Sequence, residues 1–407
     1  MDQNIPIWLN ESFLATALQR GEKEENEISI VDYAVEPATS LGSNYSSYLF
    51  RVRVVHTLQD SNQNSTTCLI IKVPITEGFF KEMSQLVDYF GREPIMYGNR
   101  LPIMFNKINH EFGPKSFHCP IKNVLVLEDL KAAGYVVGDK IKQLDYPHCE
   151  MVMKTLAKFH ATSVACYHDG EQFLDGICSE NFFFDGALPF KSFTEGFMKH
   201  YSDALDDLGV DDRFKEIFHS RVGKLWESGV AACKPKKRGL NVLNHGDVWS
   251  NNMMFKYDSC GNVVDVKFFD YQRTRFGSPV LDLIYFLWTS GNSEVMESRQ
   301  KELYSVYRDT LNSTLELLDC EERLSEEELQ QDLESNTDWA LIVMCFVVTF
   351  TVAEPDSALD MEAISSKNVE NDNNRNQIHR VLNGNLMKTL APRLARNYQQ
   401  WVNSMGK

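Results

Sequence analysis

The sequence predicts an α+β fold of two lobes, with a small N-terminal lobe of antiparallel strands and a large C-terminal lobe that is mainly helical. Segments with the alternating pattern of strands lie in the first third of the chain, and segments with helical periodicity follow. This segregation disfavours a parallel sheet with alternating strands and helices. The 407 residues, 43% of them hydrophobic, are sufficient for two domains with a sizeable core. We expect residues 1–129 to form the first lobe and residues 130–407 the second.

Strands and one helix are predicted in the first lobe. Residues 48–55 alternate between apolar and polar side chains, as a half-buried strand does, and residues 68–73 form a second strand that Pro74 ends. A polar loop separates the two strands, which should therefore pair as an antiparallel hairpin. Apolar side chains at spacings of three and four predict an amphipathic helix over residues 79–93. Residues 123–127 are almost wholly apolar and predict a buried strand.

Helices dominate the predicted second lobe. They are interrupted by a short apolar strand over residues 240–243 and by two strands, residues 253–257 and 263–269, which flank a turn. The predicted helices cover residues 147–165, 193–208, 212–232, 280–290, 292–319, 325–352 and 376–404. Residues 339–353 form the longest uncharged run, which is shorter than the roughly 20 residues that span a bilayer, so we expect a buried core helix there.

Composition and charge restrict the possible functions. With 41 Lys and Arg against 57 Asp and Glu, the net charge is −16, which argues against nucleic acid or an anionic lipid surface as the main partner. The nine cysteines are scattered, odd in number and without a C-x-x-C pair, which disfavours a disulfide framework or a structural zinc site. The first residues show no secretory signal. We therefore expect a cytoplasmic protein without a membrane span, and no segment indicates an obligate protein partner.

Three polar residues around the second-lobe hairpin could form a phosphate-transfer site. Asn252 and Asp270 each lie about nine residues from Gly261 at the centre of the turn, so antiparallel pairing should place them opposite each other, roughly 5 Å apart. An amide oxygen and a carboxylate are suitable ligands for Mg²⁺. Asp247, in the loop 245–252, can fold back toward them and accept a proton. These are the groups that transfer of the γ-phosphoryl group of ATP to a hydroxyl requires.

A lysine in the first lobe could bind the phosphates of ATP. Lys72 interrupts the apolar strand 68–73, where a charge is costly unless it has a partner. Glu93, at the edge of the apolar face of the predicted helix, could pair with Lys72 and orient it. Pro94 follows Glu93 directly and disfavours helical geometry at that residue, so Glu82 remains an alternative partner.

Two further segments could contact the nucleotide. The first is a turn between strand-like segments and includes Ser43, Asn44, Tyr45 and Ser46. Its backbone N–H groups and hydroxyls could cover the phosphates, although an ordinary turn is an equally good interpretation. The second follows the buried strand and consists of Leu127, Glu128 and Asp129. It fits a hinge between the lobes, where backbone groups could meet adenine.

Three other polar residues are expected to have structural roles. His160, among apolar residues of a predicted helix, is expected to be a hydrogen-bonded core histidine. His245 is expected to brace the loop 245–252 through backbone hydrogen bonds. Asp282 lies within the apolar helix 280–290, and we expect a buried carboxylate that anchors the same loop, with a plain helix N-cap as the alternative.

The motifs and their order resemble those of the ecdysteroid kinase-like (CHK kinase-like) family, within the aminoglycoside phosphotransferase and choline kinase superfamily. The resemblance spans about residues 42–288 and rests on GSNYSS, the lysine of LIIKVP, FGREPIMY, VLVLEDL, LAKFHATS, HGDVWSNNMMF and FFDYQRTRFGSPVLDLIYFL. It implies a protein-kinase-like fold and the use of ATP and Mg²⁺ to phosphorylate a hydroxyl of a small lipophilic molecule, such as an ecdysteroid or a related secondary metabolite. It also implies that Leu127 and Asp129 lend backbone groups at the hinge. Tyr271 departs from the Phe expected after the metal-binding Asp, and Gln272 stands where protein kinases have Gly.

The same resemblance implies a role for each of the other candidate residues. The catalytic base would be Asp247, and the metal ligands would be Asn252 and Asp270. The phosphate-binding residue would be Lys72, with Glu93 as its partner.

Other functions remain open at this point. A non-catalytic protein that binds a steroid-like ligand on a kinase scaffold is one alternative, although such a protein would have no need of metal ligands. A choline- or aminoglycoside-type kinase is another, and its acceptor would favour carboxylates or an aromatic cage. The missing D-F-G and A-P-E elements argue against a protein kinase.

Aromatic residues in the second lobe bear on the acceptor. They are Phe182, Phe183, Phe184, Phe190, Phe193, Phe197, Tyr201, Tyr285 and Trp288. Some of them must fill the core, and others could line an apolar pocket that suits a steroid-like molecule.

Overall fold

The computed structural model describes residues 5–19, 28–38, 47–58, 63–76, 87–88, 90–139, 142–177, 182–351 and 372–405. Within these ranges, strands predominate in the first third of the chain and helices in the remainder. The predicted α+β class, with a small antiparallel sheet that precedes a mainly helical part, is confirmed.

The first sheet contains, among the described residues, five antiparallel strands in the order β1-β2-β3-β5-β4. They are Ile28–Pro37 (β1), Ser47–Leu58 (β2), Asn64–Pro74 (β3), Ser116–Phe117 (β4) and Leu125–Glu128 (β5). The predicted hairpin is confirmed as β2 and β3, which pair from Ser47 with Pro74 to Thr57 with Asn64. The sequence analysis does not predict β1, which lies at the sheet edge and has few buried side chains, so its apolar pattern is weak.

Helix α1, Glu11–Leu18, is a second element that the sequence analysis does not predict. Its N-cap is Asn10, whose side-chain oxygen accepts a hydrogen bond from the backbone N–H of Phe13. Phe13 and Leu14 are buried with Val52 of β2 in one hydrophobic cluster. A helix of two turns gives little periodicity, which explains why the pattern does not reveal it.

Glu93 lies in a short helical segment. Helix α2 spans Arg92–Ile95 and continues through a π-helical turn into α3, Leu101–Ile108. Most of the predicted helix 79–93 lies outside the described residues. Pro94 occupies the first turn of α2, where its missing N–H removes no helical hydrogen bond, so Glu93 is helical although it precedes a proline.

The second part of the chain is mainly helical, as predicted. Its α-helices are Tyr146–Asp169 (α4), Leu188–Asp203 (α5), Asp212–Arg221 (α6), Leu225–Ala232 (α7), Val280–Ser290 (α8), Gln300–Leu317 (α9), Glu326–Ser335 (α10), Thr337–Ile342 (α11), Val348–Thr351 (α12), Asp372–Leu382 (α13) and Asn385–Met405 (α14). Several predicted helices are divided. Val222–Lys224 forms a 3₁₀ turn between α6 and α7, Asn336 leaves helical geometry between α10 and α11, and Gly384 lies between α13 and α14.

The uncharged run over residues 339–353 is buried, as predicted, as far as it lies within the described residues. It consists of the end of α11, a π-helical turn and α12, and the side chains of residues 339–346 are all buried. In the described part of the chain, no single helix combines the length and the apolar composition of a membrane span. The helices Glu326–Ser335 and Thr337–Thr351, bent by 56° at their junction, combine them only as a pair.

Short strands frame the polar loop of the second lobe. They are Val136–Val137 (β6), Val242–Asn244 (β7), Met253–Tyr257 (β8), Val263–Phe268 (β9) and Arg275–Gly277 (β10). Among the described residues, β6, β8 and β9 form one antiparallel sheet, and β7 pairs with β10 in another. The loop 245–252 therefore leaves one small sheet and enters the other.

Strand β5 connects the two halves of the hydrophobic interior. The described residues form one hydrophobic cluster around α1 and the first sheet and another that extends through the helical part. Val126 belongs to the first cluster, whereas Leu125 and Leu127 belong to the second. Because successive side chains of a strand point to opposite faces, β5 is buried on both sides, which accounts for its almost wholly apolar sequence.

Candidate active site

The loop that follows β7 is fixed by a buried carboxylate. Asp282, in the first turn of α8, accepts hydrogen bonds from the backbone N–H of His245 at 2.6 Å and of Gly246 at 2.9 Å. Its side chain is 1% exposed. The prediction that Asp282 anchors this loop is confirmed.

His160 is the third partner of this carboxylate. Its Nε2 lies 3.2 Å from Asp282 Oδ2, and its Nδ1 lies 2.8 Å from the hydroxyl of Tyr307. It is fully buried and is the hydrogen-bonded core histidine that was predicted. Burial alone would raise the pKa of Asp282, but His160, His245 and the backbone N–H of Gly246 together hold it below the usual value. The carboxylate therefore remains ionised in the interior.

The loop needs glycine at position 246. Gly246 has a φ of 82°, and a Cβ at this position would lie 1.9 Å from the carbonyl oxygen of Arg273. His245 completes the loop, because its Nε2 donates to the carbonyl of Phe269 at 3.1 Å and its Nδ1 accepts from the N–H of Asp247 at 3.3 Å. Burial lowers the pKa of His245, which fits this neutral, bracing role.

Asp247 is held at both carboxylate oxygens. Its Oδ1 accepts a hydrogen bond from the hydroxyl of Tyr285 at 2.5 Å, and its Oδ2 accepts one from Asn252 Nδ2 at 3.0 Å. Asn252 Nδ2 also donates to the backbone carbonyl of Asp247 at 2.9 Å. Both amide hydrogens of Asn252 are thus directed to Asp247, and Oδ1 is the amide atom that is left for a metal ion.

The register of the hairpin differs by one residue from the prediction. Met253 pairs with Phe268, and the N–H of Phe269 donates to the carbonyl of Asn252 at 3.0 Å, so Asn252 lies opposite Phe269 rather than Asp270. The predicted direct opposition of Asn252 and Asp270 is therefore wrong. The cause is the turn, which is centred on Cys260 rather than Gly261, since Tyr257 pairs with Val263. Val264 is an extra residue of β9, and this β-bulge offsets one of the two residues by which the turn shifts the pairing.

Asp270 leaves the strand in a left-handed conformation. Its φ and ψ are 71° and 57°, and its N–H donates to the hydroxyl of Tyr97 at 3.2 Å. Aspartate is one of the few residues that tolerate this region. The turn directs Asp270 toward the first sheet instead of along the hairpin.

Lys72 of β3 meets two carboxylates. Its Nζ donates to Glu93 Oε2 at 2.6 Å and to Asp270 Oδ1 at 2.5 Å. All three side chains are largely buried, with exposures of 10%, 6% and 15%. The structure thus brings together Lys72, Glu93 and Asp270, whereas the alternative partner Glu82 lies outside the described residues.

The charges in this group are unequal. Burial alone would lower the pKa of Lys72, but Asp270 and Glu93 raise it above its usual value, so the ammonium stays charged. Burial raises the pKa of Glu93, against the opposing effect of Lys72, and the negative charge of Asp270 adds to the increase. Glu93 therefore takes up a proton more readily than an exposed glutamate does.

The donor set around the loop suits magnesium and phosphate. An amide oxygen from Asn252 and a carboxylate from Asp270 are the hard ligands that Mg²⁺ prefers. Asp270 Oδ2 is not used in the contact with Lys72, and Lys72 supplies a positive charge of the kind that binds phosphate. The residues present therefore fit a magnesium–nucleotide complex.

Asp129, one of the three expected hinge residues, bonds within the protein. Its N–H donates to the carbonyl of Cys68 at 3.0 Å, and its carbonyl accepts from the N–H of Ala133 at 3.1 Å. Its carboxylate accepts from Arg51 Nε at 2.7 Å. The N–H is therefore used by the fold, whereas the carbonyl oxygen has a second lone pair, and its contact with adenine stays a prediction.

The other two hinge residues lie in β5 or at its end. Leu127 pairs with Ile70 on one side and with Ser116 on the other. The N–H of Glu128 donates to the carbonyl of Lys115 at 2.9 Å, so that donor is used by the sheet. The expected phosphate-covering turn, with Ser43, Asn44, Tyr45 and Ser46, lies outside the described residues.

Two tyrosines near the site were not assigned there from the sequence. Tyr285 contacts Asp247, and its position three residues after Asp282 on one helix is the signal that could have identified it. Tyr97 contacts Asp270 from the π-helical turn after α2. Tyr271, the departure from the expected Phe, stacks edge-on against Tyr97, and its hydroxyl donates to the carbonyl of Phe112 at 3.2 Å.

The aromatic residues considered for an acceptor pocket are part of the core. Those buried in the second hydrophobic cluster are Phe182, Phe183, Phe190, Phe193, Phe197, Tyr201, Tyr285 and Trp288, and Phe184 packs against it. Filling the core is therefore the interpretation that these side chains fit.

The chain is similar to known proteins in sequence and in structure. The model of the ecdysteroid kinase-like family matches residues 41–320. The chain therefore belongs to the ecdysteroid kinase-like family. No curated protein sequence matches the chain.

Several solved structures are similar to the chain at low sequence identity. Choline kinase from Cryptosporidium parvum Iowa II is 14% identical with a TM-score of 0.43, over 98% of this chain and 97% of that one. Plasmodium vivax ethanolamine kinase is 14% identical with a TM-score of 0.41, over 88% of this chain and 82% of that one. A choline/ethanolamine kinase family protein from Mesorhizobium loti is 13% identical with a TM-score of 0.36, over 86% and 93%.

Replacement of Asp282 should loosen the loop. In Asp282→Asn, the amide cannot accept from both backbone N–H groups, and we expect the free energy of unfolding at pH 7 to fall by about 1–3 kcal/mol, the cost of an unsatisfied buried group. Because the folded pKa of Asp282 is below the usual 3.8, its stabilisation is present above that pH and is lost as the pH falls through the folded value. Chemical denaturation of both proteins at pH 7, 5 and 3 measures this difference.

Asp309→Asn is the matched control, since Asp309 is an exposed carboxylate of α9 paired with the neighbouring Arg308. We expect a change within about 0.5 kcal/mol at pH 7. A wild-type advantage over Asp282→Asn that is already absent at pH 7 would contradict the anchoring role.

Proposed function

We propose that this protein transfers the γ-phosphoryl group of ATP, with Mg²⁺, to a hydroxyl of a small lipophilic molecule, such as an ecdysteroid or a related secondary metabolite. The observation that carries the proposal is the convergence of Lys72, Asp270 and the loop that holds Asp247 at one junction between sheet and helices. Membership of the ecdysteroid kinase-like family supports the class of reaction and of acceptor.

Asp247 would act on the acceptor. Its carboxylate oxygens each accept one hydrogen bond from the protein, which leaves further lone pairs for the acceptor hydroxyl. As the hydroxyl oxygen forms its bond to the γ-phosphorus, the bond from that phosphorus to the bridging oxygen of ADP breaks, and the hydroxyl proton passes to Asp247.

Lys72, Asn252 and Asp270 would act on the nucleotide. Asn252 Oδ1 and the Asp270 carboxylate would hold Mg²⁺, whose charge stabilises the negative charge of the phosphates when it is bound. Lys72 would direct its ammonium to the phosphates and keep Glu93 as its partner.

The remaining nucleotide contacts are assigned to the first lobe, residues 1–129. Backbone groups of Leu127, Glu128 and Asp129 would lie beside adenine. The turn with Ser43, Asn44, Tyr45 and Ser46 would cover the phosphates. The second lobe, residues 130–407, would supply the loop 245–252 and the surroundings of the acceptor.

A direct test is transfer of labelled phosphate from ATP to a panel of hydroxylated sterols and plant secondary metabolites, with choline and aminoglycosides in the same panel. Phosphorylation of sterols supports the proposal as stated. Exclusive phosphorylation of choline or an aminoglycoside would retain the kinase but refute the lipophilic acceptor, and transfer to no acceptor would count against a kinase.

Mg·ATP should stabilise the protein against heat. Binding at a concentration one hundred times the Kd stabilises a folded protein by about 2.7 kcal/mol, so the melting temperature of wild type should rise when ATP and Mg²⁺ are present together. Asp270→Asn should lose most of the part that depends on Mg²⁺, whereas Asp309→Asn should retain it. A wild-type melting temperature that Mg·ATP leaves unchanged would favour a non-catalytic ligand-binding protein.

Loss of the proposed base should affect turnover. We expect Asp247→Asn to lower kcat by at least ~10²-fold, since an amide cannot accept the proton from the hydroxyl. The KM for ATP should change little, because Lys72, Glu93 and Asp270 are untouched. Steady-state kinetics measures both quantities, with a melting curve as the control for folding. Retention of wild-type kcat would remove the assignment of Asp247 as the base.

A further inference from the structure

Helix α8 contacts the loop 245–252 at three levels. Asp282 accepts from the backbone of its first residues, Tyr285 donates to the side chain of Asp247, and Ser290 Oγ accepts from the N–H of Ser250 at 2.9 Å. Residues three apart lie on one face of a helix, so Asp282 and Tyr285 contact the loop from the same side. One rigid element therefore controls both the path of the loop and the orientation of the carboxylate that the loop carries.

The side chain of Tyr285 is held in one orientation by the packing around it. It is 3% exposed, and every side chain of α8 is buried around it. Packing fixes the ring, so the hydroxyl keeps one position beside Asp247. Burial and the negative charge of Asp247 raise the pKa of Tyr285 well above its usual value, and the phenol is a hydrogen-bond donor throughout the neutral range.

The two hydrogen-bond donors to Asp247 differ in their further contacts and proposed roles. Among the described residues, the structure records donation to this carboxylate from Asn252 and from Tyr285. Asn252 is also a proposed metal ligand, so its position is tied to the metal site. Tyr285 contacts neither Lys72 nor the proposed metal ligands, and its hydroxyl serves Asp247 alone.

We propose that Tyr285 is the positioning residue of Asp247. This inference rests on the proposed function and deepens it. The Tyr285 hydroxyl fixes Oδ1 and prevents rotation of the carboxylate, so that a lone pair of Asp247 faces the acceptor hydroxyl. The orientation of the acceptor hydroxyl relative to Asp247 then depends on helix α8 rather than on the loop alone.

Other titratable or charged groups near Tyr285 and Asp247 include His245, Arg273 and Arg275. His245 of the same loop is neutral and bonded to Phe269, and Arg273 and Arg275, which follow β9, lie near Tyr285 and lower its pKa slightly against the effect of Asp247. Arg275 donates to the carbonyl of Gly246 at 3.2 Å. None of these contacts changes when the Tyr285 hydroxyl alone is removed.

Tyr285→Phe removes the hydroxyl and keeps the ring. We expect kcat to fall by about tenfold or more, as for loss of a hydrogen bond to a charged group. The KM for ATP should stay within about twofold, because the nucleotide side is untouched.

Tyr304→Phe is the matched control. Tyr304, on α9, is also buried, and its hydroxyl has no hydrogen-bond partner among the described residues. This variant removes the same atom from the interior and should keep the wild-type kcat. A Tyr285→Phe enzyme with wild-type kcat would overturn the proposal. So would a Tyr285→Phe enzyme in which kcat falls, the KM for ATP rises and the melting temperature drops together, because that result indicates a structural role only.

A measurement without turnover separates this inference from the proposed function. In a crystal structure of Tyr285→Phe, the Asp247 carboxylate should rotate away from its wild-type orientation, whereas in Tyr304→Phe it should keep that orientation. If wild type phosphorylates no acceptor, the proposed function fails, yet the rotation still shows that Tyr285 orients Asp247. An unchanged Asp247 carboxylate in Tyr285→Phe overturns the positioning role.

Discussion

A buried ammonium shared by two carboxylates is the interaction on which the site depends. Lys72 lies in the middle of an apolar strand, where an unpaired charge is unfavourable, and loss of one partner of a buried ion pair typically costs about 3–5 kcal/mol. Glu93 and Asp270 satisfy it from two sides. Because Glu93 lies in α2, between β3 and β4, and Asp270 follows β9, a single charged group holds three distant chain segments in one arrangement. The residues proposed to bind phosphate and metal are thus held together by contacts within the protein.

The loop 245–252 likewise depends on a buried charge, here a carboxylate with backbone donors. Asp282 is an ionised carboxylate in the core, and backbone N–H groups of the loop satisfy it rather than a lysine. The loop can approach closely only because Gly246 has a positive φ and no Cβ to collide with Arg273. Burial of a charge therefore dictates the path of the backbone, and the path presents Asp247. Stability and chemistry depend on the same hydrogen bonds here, so that a change in Asp282 affects both.

Features that depend on local pattern or on the cost of buried charge were predictable from the sequence. The β2–β3 hairpin, the buried strand β5 and the anchoring role of Asp282 follow from alternation, apolar composition and a lone carboxylate in an apolar helix. The hairpin register could not be predicted, because the turn is centred on Cys260 rather than Gly261, a bulge at Val264 shifts the pairing again, and no single residue type marks either feature. The use of both backbone groups of Asp129 within the fold was equally hidden, since it depends on the distant Cys68 and the local turn to Ala133.

The contacts of Asn252 explain why an amide occupies position 252, which the sequence pattern alone does not explain. Asn252 donates both of its amide hydrogens to Asp247, one to the backbone carbonyl and one to the carboxylate, and keeps its oxygen for a cation. A carboxylate at this position could bind a metal ion but would repel Asp247 at about 3 Å and could not orient it. A residue with only donors could orient Asp247 but could not bind the metal ion. An amide satisfies both requirements, which couples the position of the proposed base to that of the proposed metal ion.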